Sequence, residues 1–169
     1  LALQCEKLTL VTKGEGRVEF GYLIEPASLP MGAVERDGAR LVVRHGDSVT
    51  FMAKYDDRAA GSGFHIHTSA FDSTGGTNVF WDAGSHSGSL LFRRFLGGLL
   101  RYTAEFFLFF APTVNSYKRY QEASFAPTRL VWSVDNRTAG FRVIGHGPSF
   151  RIENRMPGAD ANPYLAFAA

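Results

Sequence analysis

The stretch GSGFHIHTSA at residues 61–70 alternates apolar and polar side chains, which is the period of a strand with two different faces. One face carries His65, His67 and Ser69, and the other carries Phe64, Ile66 and Thr68. Neutral imidazole is the commonest metal ligand in proteins, and a glycine such as Gly61 lets a backbone or a ligand approach closely. A single His-x-His pattern leaves two interpretations open: a metal or ligand site, or two ordinary histidines of the core or surface.

A second alternating stretch, FRIENR at residues 150–155, places Arg151, Glu153 and Arg155 on one face of a predicted strand. Arginine binds carboxylates and phosphates through a planar fork, and a glutamate between two arginines is suited to hold a divalent cation or to neutralise them. An exposed ladder of salt bridges would produce the same pattern, and both interpretations stay open.

Further cations and amides precede that strand; they are Asn115, Lys118, Arg119, Arg137 and Arg142. The sequence contains no Walker-type glycine loop that would bind a polyphosphate through a helix N-terminus. If the arginines converge with the histidines and carboxylates, they indicate a metal-bound polyphosphate held by arginines. Scattered surface arginines are the alternative.

The remaining periodicity predicts an α+β chain. Strands are predicted at residues 18–22, 49–53, 64–70 and 150–155, with weaker candidates at 129–133 and 140–144. Apolar residues recur every three or four positions from 89 to 111 and stop before Pro112, which predicts one core helix in which Gly97 and Gly98 pack closely against another element. Asn162 and Pro163 begin a helix less than two turns from the last residue, so we expect the chain to be part of a longer protein.

Composition limits the possible classes. The 169 residues are enough for one domain, and 18 basic against 16 acidic residues leave no basic stripe typical of nucleic-acid binding. A single cysteine, Cys5, excludes an internal disulfide and a zinc finger and indicates a reducing compartment. The longest apolar run is interrupted by charges too often to predict a membrane span; they are Arg93, Arg94, Arg101 and Glu105.

Eight blocks in order between Ser48 and Ala169 resemble the catalytic domain of the glutamine synthetase superfamily. They are FMAKYD, GSGFHIHTS, FLGGLL, NSYKRY, APTRLVW, DNRTAGFR, RIENR and PGADANPYLAFAA. The resemblance implies an α+β fold with a mainly antiparallel sheet flanked by helices. It also implies that residues 1–169 are an incomplete catalytic domain without the family's small N-terminal domain and its C-terminal remainder.

The resemblance implies an activity as well. Family members phosphorylate the side-chain carboxylate of glutamate with ATP and let an amine or ammonia displace phosphate from γ-glutamyl phosphate. Two divalent cations, Mg²⁺ or Mn²⁺, organise this reaction. The implied full-length protein is a cytoplasmic homo-oligomer of stacked rings, with no nucleic-acid or membrane partner.

Roles are implied residue by residue. Glu19, His65 and Glu153 match metal-ligand positions. Arg119, Arg137 and Arg155 match the catalytic arginines that hold the glutamate carboxylates and the transferring phosphate, and Gly61 matches a backbone contact with the substrate. Positions that contact ATP are matched by His67, Ser69, Arg142 and Arg151.

The sequence also departs from the family pattern. Ammonia-using members have a glutamate where the SFAP segment has Phe125, so this chain is similar to the γ-glutamyl-amide ligase branch and is expected to use a primary amine. Thr12 and Arg17 replace a metal glutamate and a glutamine upstream, which puts one cation in doubt. An ammonia-dependent glutamine synthetase and a non-catalytic remnant of the fold are the alternatives.

Overall fold

The computed structural model describes residues 52–54, 56–58, 60–85 and 87–169, together with the backbone of five strands within residues 3–43. The strands are β1 (Leu3–Gln4), β2 (Leu8–Val11), β3 (Arg17–Glu25), β4 (Val34–Asp37), β5 (Arg40–Val43), β6 (Gly63–Phe71), β7 (Trp132–Val134), β8 (Phe141–Ile144) and β9 (Arg151–Asn154). The helices are α1 (Leu90–Tyr102), α2 (Phe107–Phe110), α3 (Val114–Tyr117) and α4 (Pro163–Ala168). The α+β class predicted from the sequence is therefore confirmed.

One sheet organises the chain, with its strands in the order β1–β3–β6–β9–β8–β7 and with β2 also paired to β3. β3 runs antiparallel to β6 along nine residues, from Arg17 opposite Phe71 to Glu25 opposite Gly63. β7 and β8 are parallel, whereas the other pairs in this sheet are antiparallel. The sheet is mixed, so the expectation of a mainly antiparallel sheet holds only in part.

The strand predictions succeed at β3, β6, β8 and β9, while β7 begins three residues later than the weak candidate at 129–133. The prediction at 49–53 is wrong for Met52 and Ala53, which lie outside any strand, and its other residues are outside the described ones. The carbonyl of Ala53 accepts a hydrogen bond from the Ser62 amide at 2.8 Å, and the Asn115 side chain bonds both backbone groups of Lys54. These backbone groups therefore bind a loop and an amide side chain instead of a neighbouring strand.

The single helix predicted at 89–111 is two helices. Ser89 caps α1 by accepting a hydrogen bond from the Phe92 amide, and α1 ends at Tyr102. The Glu105 and Phe106 amides both bond the Tyr102 carbonyl, which makes a turn before α2 begins at Phe107. A Cβ added at Gly97 or Gly98 would meet no described atom within 4 Å, so the predicted close packing is wrong among the described residues.

The core lies between α1 and one face of the sheet. Its buried members are Phe80, Phe92, Leu96, Phe141, Val143, Phe150 and Ile152. A second cluster joins the inner face of β6 to α2 and α4 through Phe64, Ile66, Phe110, Ala161 and Ala166. Side chains alternate across a strand, so the polar residues between these apolar positions lie on the opposite face. No helix in the described part of the chain is long and apolar enough to cross a membrane.

Candidate active site

The polar face of the sheet is organised around Glu153, whose side chain is almost fully buried. β9 lies between β6 and β8, and the register places His67 and Arg142 directly on either side of Glu153. Oε1 of Glu153 accepts a hydrogen bond from Arg155 Nη1 at 2.8 Å and lies 3.1 Å from His65 Nδ1. Oε2 accepts from Arg142 Nη1 at 3.0 Å. Two of the motifs predicted from alternation thus converge on one carboxylate.

Burial and neighbouring charges shift the pKa of Glu153 in opposite directions. Burial alone would raise the pKa of this carboxyl group, but the hydrogen bond from His65 and the positive charge of Arg155 outweigh it and lower the pKa to about 2. Glu153 is therefore ionised at neutral pH, and its buried charge is compensated on both oxygens.

His67 is held as a neutral imidazole. Burial lowers its pKa to about 4; the negative charge of Glu153 opposes this change and Arg151 adds to it. Arg151 Nε donates to Nδ1 of His67 at 3.1 Å, so the hydrogen of the neutral ring is on Nε2, which lies 3.9 Å from Glu153 Oε1. In this tautomer Nε2 is a hydrogen-bond donor facing the polar centre.

Arg155 connects the sheet to two loops. Its Nε donates to the Arg137 carbonyl at 3.1 Å, and its Nη2 donates to the Phe125 carbonyl at 3.4 Å. Arg137 and Phe125, both predicted as site residues, are thus brought to the centre by their backbones. The side chain of Arg137 is exposed.

Arg119 lies beneath Arg155 and is only 3% exposed. Its Nη1 donates to the Met156 carbonyl at 2.8 Å and its Nη2 to the Arg155 carbonyl at 2.9 Å. Burial lowers the pKa of its guanidinium, while the neighbouring Tyr120 raises it. Arg119 therefore anchors the chain just after β9, beside the predicted substrate position.

Gly61 lies directly against Arg119. A Cβ at this position would be 2.8 Å from Arg119 Cγ and 2.7 Å from the Ala53 carbonyl oxygen, closer than real Cβ contacts allow. Only glycine fits this approach, which agrees with the close approach predicted from the sequence.

A hollow of about 310 Å³ lies at the β8 side of the centre, where Arg142 and Arg151 share its lining with Trp81 and His146. Arg142 Nε donates to Asp135 Oδ1 at 3.0 Å. Burial lowers the pKa of Arg142, but the hydrogen bonds to Asp135 and Glu153 raise it by more, so the guanidinium stays charged. The hollow combines two arginines with aromatic rings, a combination that suits a nucleotide.

Sequence reasoning did not identify Trp81, His146 or Asp135 as site residues. Trp81 and His146 each stand alone in a loop, and their edge-to-face contact, with ring centroids 5.7 Å apart, exists only in the folded chain. Asp135 stands just after β7 with a positive φ of 47°, and its pairing with Arg142 depends on that loop conformation. No pattern in the sequence identified these three residues.

The structure says less about the predicted roles of Ser69 in ATP binding and of Glu19 in metal binding. The Ser69 hydroxyl donates to the Phe150 carbonyl at 3.4 Å, so it holds β6 next to the start of β9. The backbone of Glu19 pairs with Ser69 in the register of β3 and β6, and the Glu19 side chain is outside the described residues. Its predicted role in metal binding stays a prediction.

The donor chemistry at the centre fits part of a divalent-cation site. An ionised carboxylate and an imidazole, Glu153 and His65, are both buried and 3.1 Å apart. Among the described residues, however, no group of three or more His, Cys, Asp or Glu side chains is arranged to hold a metal. A cation here would need at least one more ligand, and Glu19 is the residue that the sequence analysis proposes.

Comparison with known proteins shows the family. Residues 36–169 match the family model of the glutamine synthetase catalytic domain. The chain is 45% identical over 156 residues to the γ-glutamylethanolamide synthetase of Streptomyces coelicolor, covering 92% of this chain and 33% of that protein. It is 39% identical over 138 residues to the γ-glutamylputrescine synthetase of Escherichia coli, covering 81% and 29%.

A glutamate–isopropylamine ligase of a Pseudomonas species is 41% identical over 132 residues, covering 76% of this chain and 28% of that protein. Glutamine synthetases are also among the matching relatives. The chain spans about a third of the length of the curated relatives it matches, or slightly less.

Proposed function

The chain belongs to the glutamine synthetase family, and we propose that it contributes the phosphate- and glutamate-binding face of an ATP-dependent ligase that joins glutamate to a primary amine. The observation that carries this proposal is the buried centre, in which Glu153 is surrounded by Arg142, Arg155 and two histidines. Phosphoryl transfer is catalysed mainly by positioning and by stabilisation of charge, and such a centre supplies both.

ATP is proposed to bind with its phosphates at Arg142 and Arg151 and its base towards Trp81 and His146 in the adjoining hollow. The Nε2–H of His67, which faces Glu153 in the polar centre, is proposed to donate to a phosphate oxygen. His65, Glu153 and Glu19 are the proposed ligands of Mg²⁺ or Mn²⁺, which when bound neutralises charge on the phosphates. The guanidinium groups then need only orient the γ-phosphoryl group.

Glutamate is proposed to bind beside Arg119, Arg155 and Gly61. Gly61 lies against the aliphatic part of the Arg119 side chain, so its backbone is proposed to offer an amide contact to the substrate next to this anchor. Arg137, which shares a hydrogen bond with Arg155, is the proposed partner of the phosphoryl oxygens while γ-glutamyl phosphate forms. The neutral amine nitrogen then attacks the γ-carbonyl carbon, inorganic phosphate leaves with the C–O bonding electrons, and the nitrogen gives up one proton to the departing phosphate.

A primary amine is preferred over ammonium because of Phe125. Its ring is 77% exposed and carries no carboxylate that would bind and deprotonate an ammonium ion. An aromatic face gains binding energy from the carbon chain of an organic amine instead. The names of three matched relatives, which are ligases or synthetases for ethanolamine, putrescine and isopropylamine products, support the same preference.

The test is glutamate-dependent ADP release by the full-length protein with Mg²⁺ or Mn²⁺, measured with a panel of primary amines and with ammonium. We expect a γ-glutamyl amide, identified by mass, at amine concentrations well below those of ammonium. Phe125→Glu should shift the ratio of kcat/KM for ethylamine to that for ammonium towards ammonium by about tenfold, since it exchanges an apolar contact for a cation-binding carboxylate.

Leu108→Glu is the matched control, because it places the same carboxylate on another exposed apolar residue, outside the site. It should leave the ratio unchanged. A wild-type preference for ammonium would identify an ammonia-dependent glutamine synthetase, and no ADP release with any acceptor would refute the ligase proposal.

A further inference from the structure

A second hollow, of about 300 Å³, lies between one wall formed by Lys54, Asp57, Arg58 and Ala60 and another formed by residues 121–125. We propose that it receives the carbon chain of the amine substrate and that it selects short primary amines whose tail carries no charge. This inference rests on the ligase function proposed above and adds the class of amine and the residues that select it.

Both walls of this amine-tail hollow are attached to the predicted substrate arginines. On one wall, Arg155 Nη2 donates to the Phe125 carbonyl at 3.4 Å, and the Ser124 hydroxyl oxygen lies 3.3 Å from the Arg119 carbonyl oxygen. On the other wall, Ala60 directly precedes Gly61, which lies against Arg119. The hollow is therefore an extension of the glutamate site rather than a separate surface feature.

The position of the second wall, to which Lys54 and Ala60 belong, is also linked to the helix that precedes Arg119. The Lys54 amide donates to Asn115 Oδ1 at 2.9 Å, and Asn115 Nδ2 donates to the Lys54 carbonyl at 2.6 Å. Asn115 belongs to α3, four residues before Arg119. An amine tail in the hollow thus lies at a defined place relative to the arginine that faces the glutamate.

The lining of the hollow combines an apolar side with polar and charged residues. Phe125, Ala60 and Ala123 present apolar surface, and Gln121 and Ser124 add neutral hydrogen-bonding groups. The charged lining residues are two cations and two anions, namely Lys54, Arg58, Asp57 and Glu122. Their charges balance, so a distal ammonium or carboxylate gains no net attraction, whereas each methylene buried against the apolar wall strengthens binding by about threefold to fourfold.

The Phe125 wall is preformed. Ala123 has a φ of 59°, a left-handed conformation that non-glycine residues rarely adopt. The Ser124 hydroxyl donates to the Gln121 carbonyl at 2.6 Å, which stabilises the turn. Backbone strain of this kind persists only where the surroundings impose it, and it is concentrated at ligand sites. One water molecule occupies about 30 Å³ in the liquid. The volume of the hollow is several times larger, so it can admit several carbon atoms.

The experiment measures kcat/KM of the full-length enzyme for methylamine, propylamine, ethanolamine and 1,4-diaminobutane. Ala60→Leu fills the hollow and should lower kcat/KM for propylamine at least about tenfold, but that for methylamine less than about threefold. Ala83→Leu is the matched control, since it adds the same atoms to an exposed turn outside both hollows, and it should change neither value.

Phe125→Ala gives a second readout that does not depend on how Ala60→Leu folds, because the Phe125 ring is largely exposed. It should reduce the preference of the enzyme for propylamine over methylamine by about tenfold. Equal losses for methylamine and propylamine in both variants would overturn the hollow as the tail site. A wild-type preference for 1,4-diaminobutane over propylamine and ethanolamine would overturn the uncharged-tail assignment, and in both cases the amide product would still support the ligase function. If wild type forms no amide from any amine, the ligase proposal fails and this inference fails with it.

Discussion

The polar centre around Glu153 and the amine-tail hollow beside Phe125 lie on two sides of Arg155 and are built differently. In the centre, ionisable side chains are almost fully buried, and adjacent strands set their positions by backbone pairing. In the hollow, the lining comes from two loops, and Phe125 is among the most exposed apolar residues of the described part. The groups proposed to handle phosphate therefore lie on the rigid sheet, whereas those proposed to choose the amine lie on loops, where substitutions are tolerated.

This difference has energetic consequences. Removing one partner of a buried ion pair costs about 3–5 kcal/mol, while substitutions at exposed positions are usually within about 0.5 kcal/mol. Changes in the centre should thus affect stability and activity together, and changes in the hollow should affect selectivity with at most small changes in stability. Three further predictions test this contrast.

The largest effect is expected for Arg155→Ala. It removes a donor to Glu153 and the bonds to the Arg137 and Phe125 carbonyls, so the free energy of unfolding should fall by about 3 kcal/mol and ADP release by at least about a hundredfold. Denaturant unfolding and ADP release measure the two losses. Arg155→Lys keeps the positive charge but loses the planar guanidinium, so it should recover part of the stability and little of the activity. Wild-type activity in either variant would show that Arg155 is not part of the site.

An intermediate effect is expected for His67 as the pH falls. Its pKa is lowered to about 4 in the folded protein from an ordinary value of 6.5, so below pH 6.5 the unfolded chain takes up the proton first. The stability that neutral His67 contributes is fully present above pH 6.5. It is lost progressively as the pH falls to about 4, and the total loss in the free energy of unfolding is about 1–3 kcal/mol.

The measurement is the free energy of unfolding in EDTA between pH 6.5 and pH 5. Glu153 does not contribute to the pH dependence in this range. Its pKa is lowered from 4.5 to about 2, so its contribution to stability is lost only as the pH falls through that lower interval. His67→Gln should have a smaller slope than wild type. Equal slopes in the two proteins would show that burial of His67 does not control its protonation.

The smallest effect is expected for Ala123→Gly in the wall of the hollow. Glycine relieves the left-handed strain, worth about 1–2 kcal/mol, but gains freedom in the unfolded chain worth about 0.5–1 kcal/mol. The net change should be a stabilisation of about 0.5 kcal/mol, measured by denaturant unfolding. Ala104→Gly, at an exposed turn position without a positive φ, should instead destabilise by a similar amount. Equal destabilisation by both changes would mean that the Ala123 turn is not strained.

The helix prediction shows where local patterns fail. Apolar spacing from 89 to 111 is continuous, yet the hydrogen bonds from Glu105 and Phe106 to Tyr102 end α1, and only Phe92 and Leu96 of its apolar residues are buried. Periodicity reports which residues would share a face if the helix continued; it contains no information on where tertiary contacts stop it. The same limit applies to the strand predicted at 49–53, where the Ala53 carbonyl accepts a hydrogen bond from the Ser62 amide.

Alternation along a strand is a property of the backbone, so the sequence alone specifies the two faces of β6 and β9. It places His65, His67 and Glu153 on polar faces, and the structure confirms this. The local pattern does not specify the register that sets His67 and Arg142 beside Glu153, the hydrogen bonds by which Arg155 holds two distant loops, or the pairing of Asp135 with Arg142. These contacts join residues far apart in the chain or depend on loop conformation, and they form only when the packed core brings the strands and loops together.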